Sequence, residues 1–171
     1  MKKELTRRSF LKLAGVGALA VAMSGSLTGC DVIDNLKDMD SVSAAIGDVK
    51  FMLSASAWVN NGSNGMSYQP TCEIRNNSKK AVTYGGSGSG CEVIITGVLT
   101  DKNGKEYPMT YVGENGSAPA GEKYEVKDFK LVAVGKGLYM EGSKVVTTFT
   151  YKGKKAVFTE YNNGNITSKV E

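Results

Sequence analysis

The sequence predicts an all-β fold, a β-sandwich of seven or eight antiparallel strands that follows a cleaved signal peptide and a short acidic tether. Three observations support this prediction. Apolar residues recur at alternate positions in short runs, clusters of Asn, Gly and Asp separate these runs, and residues 48–171 contain no long amphipathic helical pattern. Period-two alternation between turn signals is typical of half-buried strands, and many such strands without helices favour a sandwich.

The first predicted strand begins after Asp48. Its apolar residues alternate and are expected on one face: Val49, Phe51, Leu53, Ala55, Ala57 and Val59. The segment 60–65 is rich in Asn and Gly, which indicates a turn before the next alternating run, 68–74. Pro70 within that run is typical of an edge strand or of a strand beginning, because proline cannot donate to a ladder.

The remaining strands are predicted between further turn signals. The runs are 81–84, 91–100, 106–112, 124–134, 144–151 and 154–161. Segment 101–105 is predicted as a hairpin loop, and Lys152-Gly153 as the tightest turn. A calcium loop beginning at Asp101 is disfavoured because its sixth and twelfth positions are Glu106 and Val112. The Gly/Ser stretch 85–90 lacks the Lys of a phosphate loop and is interpreted as a flexible connection.

Three segments resemble small immunoglobulin-like domains of bacterial surface lipoproteins. They are an Asn-rich strand end at 72–78, a strand that ends in Asp-x-x-Gly-Lys at 94–105, and a Pro-x-Gly-Glu loop at 119–122. The resemblance implies an immunoglobulin-like sandwich. It transfers no functional site, since this fold hosts unrelated roles.

Residues 1–29 have the three parts of a secretory signal: a basic stretch, an apolar run and a small-residue cleavage region. Segment 6–12 resembles the twin-arginine motif, which is carried by Arg7, Arg8, Phe10, Leu11 and Lys12. This resemblance implies export of a protein that has already folded. The apolar run 13–23 is too short to span a bilayer as a stable helix.

The signal ends in Leu27, Thr28, Gly29 and Cys30, which resemble a lipobox. The resemblance implies cleavage before Cys30 and acylation of its thiol; a buried cysteine after a turn is the alternative. Two or three acyl chains hold a soluble domain on a membrane where a single chain is marginal. We therefore expect residues 1–29 to be the signal peptide, 30–47 a lipidated tether and 48–171 the sandwich, held on the extracytoplasmic side of the cell membrane.

The amino-acid composition argues against several classes of function. Residues 30–171 hold sixteen basic and sixteen acidic residues, so the mature chain is neutral and has no electrostatic footprint for nucleic acid. The chain has no His, the commonest general base and metal ligand. No nucleophile-base pair, metal-ligand cluster or nucleotide motif is recognised, so the predictions are no enzyme, no metal and no cofactor.

Cys72 and Cys91 remain once Cys30 is lipidated, and both fall on strand-like runs in an exported chain. A disulfide between them is predicted. Two buried free thiols are the alternative, and a redox or metal-binding pair is a third.

Two further patterns have a structural and a functional interpretation. The tyrosines and Trp58 are predicted to pack in the core, with a stacking surface for sugar or peptide as the alternative. The apolar residues Val32, Leu36 and Met39 give the tether one or two marginal helical turns, with a partner-docking helix as the alternative.

The leading functional hypothesis is a non-catalytic, membrane-anchored surface lipoprotein. Its immunoglobulin-like domain is expected to serve in binding or adhesion, with a protein or cell-wall partner. The alternative is an accessory lipoprotein subunit of an exported enzyme or transporter.

Overall fold

The computed structural model describes residues 41–135, 138 and 141–171. These residues form twelve strands and one short 3-10 turn at Gly62–Asn64. The strands are β1 Val42–Ile46, β2 Val49–Asn60, β3 Met66–Asn76, β4 Val82–Gly86, β5 Val93–Thr100, β6 Glu106–Val112, β7 Gly116–Ala118, β8 Glu122–Val126, β9 Lys130–Ala133, β10 Lys144–Tyr151, β11 Lys154–Tyr161 and β12 Ile166–Val170.

The strands follow one hydrogen-bonded path, in the order β1-β2-β3-β9-β6-β5-β10-β11-β12, with β4, β7 and β8 attached at its sides. Every described pair is antiparallel except β4 and β5. The path folds over on itself, because Phe51 of β2 stacks on Phe149 of β10 at 4.9 Å between ring centroids. Its two ends also meet, since the Ser168 hydroxyl of β12 donates to the Ser43 carbonyl of β1.

The result is a two-layer sandwich, with β1, β2, β3 and β8 facing β5, β10, β11 and β12. Its core is a single cluster of apolar side chains drawn from both layers. The largest fully buried aromatic side chains are Phe51, Tyr68, Phe129, Phe149 and Phe158. The predicted fold class, an all-β immunoglobulin-like sandwich, is confirmed.

The strand count differs from the predicted seven or eight. Val42–Ile46 form β1 although they were assigned to the tether. Gly116–Ala118 form β7 where no strand was predicted, and Ile166–Val170 add β12 after the last predicted strand. The predicted strand 124–134 is divided into β8 and β9. Such short strands depend on a partner across the sheet more than on their own sequence, which explains why their local signal was weak.

Two of the predicted turns, at Lys152-Gly153 and at 101–105, are confirmed. Lys152 and Gly153 both have positive φ, as a two-residue hairpin requires, and they join β10 to β11 in continuous register. At the β5–β6 hairpin, Asp101 accepts hydrogen bonds from the backbone N–H groups of Asn103 and Lys105. The hairpin interpretation of segment 101–105 is therefore confirmed.

A polar side chain closes the end of the sandwich near β7. Asn76 is fully buried, and its amide nitrogen donates to the carbonyls of Lys80 and Ala118. Its amide oxygen accepts from both the N–H and the hydroxyl of Ser78. Asn76 thus ties the turn after β3 to β7, and all its hydrogen-bonding groups are used.

Candidate functional site: a groove between two bulges

β2 carries a β-bulge halfway along its pairing with β3. Ser54 pairs with Thr71 and Ser56 pairs with Pro70, so β2 has one extra residue at this level. An extra residue reverses the faces of a strand. Ala57 and Val59 are therefore exposed, although the sequence pattern placed them on the core side, and Ser56 and Trp58 turn inward instead.

A second bulge faces the first across β3. On the other edge of β3, Cys72 pairs with Val126 of β8 and Tyr68 pairs with Leu131 of β9. Three residues of β3 thus lie opposite the four residues 127–130, so this side also has one extra residue. Asp128 takes up the excess with a positive φ of 56°.

Pro70 lies between the two bulges. It has no N–H to donate, and proline within a sheet is typically found at bulges, where the ladder is already interrupted. Pro70 is buried in the middle of β3, so the prediction of an edge position or a strand beginning was wrong. The proline and the two bulges together interrupt the hydrogen-bonded ladders of three neighbouring strands at one level.

A surface groove of about 670 Å³ opens at this interruption. Its lining residues come from β2, β3, β8 and the β8–β9 connection: Ser56, Ala57, Gln69, Pro70, Thr71, Glu125, Val126, Lys127 and Asp128. We call this the bulge groove. Its volume lies within the range of known ligand pockets.

The bulge groove carries a small negative charge. Glu125, Asp128 and Lys127 are exposed on its rim, two carboxylates against one ammonium. Next to it, Glu73 pairs with Lys123 at 2.8 Å and with Arg75 at 2.9 Å. Partial burial raises the pKa of Glu73, but the hydrogen bonds from Lys123 and Arg75 outweigh it and leave the pKa below its usual value. Glu73 is thus neutralised by its own neighbours.

A buried polar cluster lies beneath the groove. Glu160 of β11 is only 3% exposed. Its carboxylate accepts hydrogen bonds from the Ser56 hydroxyl, from Trp58 Nε1 at 3.3 Å and from the Tyr68 hydroxyl at 2.7 Å. Ser56 belongs to both the cluster and the groove lining, so it connects the surface to the buried carboxylate.

Burial raises the pKa of Tyr68 well above its usual value, and the Glu160 carboxylate beside it raises it further. The Tyr68 hydroxyl therefore remains a proton donor. Thr147 of β10 also lies beside this hydroxyl, although its own buried oxygen makes no regular hydrogen bond within the described residues. With donors on both carboxylate oxygens and little access to solvent, Glu160 is arranged to hold the two layers together.

The structure has both Cys72 and Cys91 as free thiols, so the predicted bridge is not formed. Cys72 is fully buried on β3, whereas Cys91 is half-buried in the connection before β5. β9 and β6 separate these two strands in the sheet order. Burial raises the pKa of the Cys72 thiol, and the charge of Glu73 adds to the effect. Such a thiol is inert rather than reactive.

Trp58 and the described tyrosines pack in or against the core, as predicted, except Tyr161; Tyr139 lies outside the described residues. Tyr68, Tyr84 and Tyr151 are buried, and Trp58, Tyr107, Tyr111 and Tyr124 pack half-buried against the core cluster. Tyr161 is more exposed, at 42%. These side chains do not form a continuous stacking surface among the described residues.

The signal and lipid-attachment predictions fall outside the described residues. They concern Arg7, Arg8, Phe10, Leu11 and Lys12 of the export motif, and Leu27, Thr28, Gly29 and Cys30 of the lipobox. The helical turns predicted around Leu36 also lie outside. They remain predictions.

Neither a membrane-spanning helix nor a metal-binding cluster is found among the described residues. No helix in residues 41–135, 138 or 141–171 is long and apolar enough to cross a membrane. Within the same ranges, no three side chains of Asp, Glu, Cys or His come together as a metal-binding set.

Neither Glu160 nor the role of Pro70 was predicted from the sequence. One signal was available for each: a proline in the middle of an alternating run, and a Glu at a position of β11 where the alternation of the strand points inward. Neither signal says what lies on the other side of the sandwich.

No protein-family model matches the chain, and no curated protein matches it. Among solved structures, it is similar to a β-glucuronidase from glycoside hydrolase family 2, with 12% identity and a TM-score of 0.41 over 71% of this chain. It is also similar to a Bacteroides uniformis β-glucuronidase, with 11% identity and a TM-score of 0.37 over 77% of this chain. The chain spans only 12% and 14% of those two proteins. Likeness at this level assigns neither a family nor an activity.

Proposed function

We propose that this chain is an exported lipoprotein, anchored through Cys30, whose β-sandwich acts by binding a protein partner at the bulge groove. The observation that carries the proposal is the pair of facing bulges around Pro70, which opens a groove in an otherwise regular sheet. Bulges are over-represented at functional sites because they interrupt pairing and redirect side chains.

The rim of the groove favours a segment of the partner that carries a positive charge. Glu125 and Asp128 exceed Lys127 by one negative charge, while Glu73 is already paired with Lys123. Exposed charges of this kind contribute to association rate and partner choice more than to affinity. The amide of Gln69 and the hydroxyl of Thr71 add neutral hydrogen-bonding groups.

The hydrogen bonds of the buried Glu160 support a non-catalytic function. Glu160 accepts hydrogen bonds from Ser56, Trp58 and Tyr68, so it is held in place rather than presented to a substrate. The chain also has no His to act as a general base.

Site-specific photo-cross-linking in the host membrane tests the proposal. A photo-reactive amino acid replaces Ala57, an exposed residue of the groove wall, and in a matched control it replaces Thr167, an exposed residue of β12. We expect one discrete adduct from position 57 and none from position 167. A double charge reversal, Glu125→Lys with Asp128→Lys, is expected to abolish the adduct.

The control for charge is the pair Glu106→Lys with Glu114→Lys, two exposed positions outside the groove. This variant should cross-link normally. Equal adducts from positions 57 and 167, or an adduct insensitive to the Glu125 and Asp128 reversal, would show that the groove is not the binding site.

The alternative is an accessory subunit of an exported enzyme or transporter. The twin-arginine motif at Arg7 and Arg8 favours it, because that route is implied to carry proteins that have already folded. The identity of the position-57 adduct separates the two: an exported enzyme or transporter chain supports the subunit role, and any other surface protein supports adhesion.

A further inference from the structure

The two bulges that open the bulge groove also change which side chains face outward. In β2, Phe51 and Leu53 are fully buried, but beyond the bulge it is Trp58 that packs against the core, and Val59 is 49% exposed. Without the extra residue, the alternation of the strand would place Val59 on the core side. The bulge thus moves an apolar side chain to the outer surface.

The second bulge has the same effect on the other side of β3. Val126 of β8 is buried, and the inward residues beyond the bulge are Leu131 and Ala133, which are fully buried. Because positions 126 and 131 differ by an odd number, the two faces of the chain are exchanged between them. Val132 is turned outward as a result. Val134, just beyond β9, is 76% exposed, the most exposed large apolar side chain among the described residues.

These outward apolar residues lie side by side. Val59 pairs with Ser67 of β3, and Ser67 pairs on its other edge with Val132. Val134 lies next to the turn before β3, because a Cβ on Gly65 would come within 3.0 Å of Val134 Cα. The set consists of Ala57, Val59, Val132 and Val134, and we call it the apolar patch. The patch carries no charge.

The apolar patch is continuous with the bulge groove, because Ala57 belongs to both. The charged rim of the groove, at Glu125 and Asp128, lies on the same outer surface. Along β3, the groove at Pro70 and the patch at Ser67 are three residues apart. That separation is about 10 Å in a strand.

We propose that the apolar patch extends the bulge groove and selects a partner segment that carries a basic side chain and, about 10 Å away, apolar side chains. This inference rests on the function proposed above. The negative rim attracts the basic group, and the patch removes the apolar groups of both proteins from water. In an extended segment the two features are about three residues apart.

A lipid surface is a less suitable occupant than a protein segment. An apolar patch can enter a bilayer interface, but anionic headgroups repel the carboxylates of Glu125 and Asp128, which lie beside the patch. An acidic polymer is disfavoured for the same reason. A protein segment with a basic and an apolar part matches both features of the surface.

Photo-cross-linking from the apolar patch tests the inference in the host membrane. A photo-reactive amino acid replaces Val59 or Val134, and in the matched control it replaces Val170 of β12, which is 47% exposed. We expect positions 59 and 134 to capture the same protein as position 57, and position 170 to capture none. Mass spectrometry should place the cross-links from all three positions in one short segment of the partner, which contains Lys or Arg together with apolar residues.

Two double variants separate apolar contact from charge and shape. Val59→Thr with Val134→Thr replaces methyl groups by hydroxyls without a change of charge, and it should lower the yield of the position-57 adduct about tenfold. Val59→Ile with Val134→Ile keeps the surface apolar and should cross-link normally. Val170→Thr is the matched control and should have no effect. Circular dichroism should show an unchanged fold in every variant, because all three positions are exposed.

Cross-links from positions 57 and 134 that map to different proteins or to distant segments would overturn the assignment, and so would a segment without a basic residue. An adduct of twice the mass of the chain would place a second copy on the patch, and a lipid adduct would place the patch in the membrane; either result also overturns it.

One pair of results separates this inference from the function on which it rests. If the reversal of Glu125 and Asp128 abolishes the position-57 adduct but the threonine pair leaves its yield unchanged, the groove binds the partner and the role of the apolar patch is refuted. If position 57 gives no adduct at all, both proposals are refuted.

Discussion

The hydroxyl of Tyr68, near the start of β3, donates a hydrogen bond to Glu160 of β11 in the opposite layer, over 2.7 Å. This bond joins the two layers at the level where the bulge in β2 turns Ser56 and Trp58 inward. Trp58 is the only tryptophan of the chain, so its emission reports directly on this cluster. A buried carboxylate is tolerated here because donors reach both of its oxygens.

Tyr68→Phe should lower the free energy of unfolding by about 1–3 kcal/mol, because it leaves one buried oxygen of Glu160 without a donor. Urea denaturation followed by Trp58 emission measures the change. Tyr161→Phe is the matched control; its ring is 42% exposed, and it should change stability by less than about 0.5 kcal/mol. Equal effects from both substitutions would contradict the role of the Tyr68 bond.

Asn76→Asp should destabilise the fold by about 2–4 kcal/mol. A carboxylate cannot donate to the Lys80 and Ala118 carbonyls that Asn76 Nδ2 now reaches, and it would be buried without a cation. Thermal unfolding by circular dichroism measures the loss. Asn77→Asp, at the exposed neighbouring position, should be nearly neutral. A neutral Asn76→Asp would show that this end of the sandwich does not depend on the amide.

Glu73 should make stability depend on pH in the acid range. Its pKa is lower in the folded chain than its unfolded value of about 4.3, so its contribution is complete above that value. The contribution is lost as the pH falls through the folded pKa. The stability difference between wild type and Glu73→Gln, about 0.2–1 kcal/mol at pH 7, should therefore shrink towards pH 3. Urea titrations at both pH values measure it, and a difference that is constant with pH would refute the ion-pair account.

The two thiols should react at very different rates. Cys72 is fully buried and burial raises its pKa, whereas Cys91 is half-buried before β5. In the native protein, with Cys30 replaced by Ser, a thiol-specific reagent should label Cys91 first and label Cys72 only after unfolding. Cys91→Ser should then abolish native labelling. Rapid native labelling of both, or of neither because they are bridged, would contradict the structure at these positions.

Export should require the twin arginines and end in acylation of Cys30. Replacing Arg7 and Arg8 by two lysines is expected to retain the precursor in the cytoplasm, and Cys30→Ser is expected to abolish the acylated N-terminus. Mass spectrometry of the membrane fraction identifies the first residue and its mass. A mature protein that still begins at Met1, or export that is unchanged by the lysine pair, would exclude this route.

Local sequence patterns are sufficient to predict the fold class and the tightest turns. Alternating apolar residues between Asn- and Gly-rich clusters are local signals, and they placed the strands 144–151 and 154–161 and the turn at Lys152-Gly153 correctly. They did so because side-chain alternation and positive φ are properties of the chain at that point.

Contacts between distant residues, in contrast, depend on how the strands pair in the folded protein. The alternation from Val49 to Val59 predicted a single buried face, but one extra residue opposite Pro70 exposes Ala57 and turns Trp58 towards the core. Pairing partners lie far apart in sequence, as Ser56 and Glu160 do, and a shift of one residue exchanges the two faces of a strand. The bulge groove arises from such changes of pairing between strands, and no local pattern of residues encodes it.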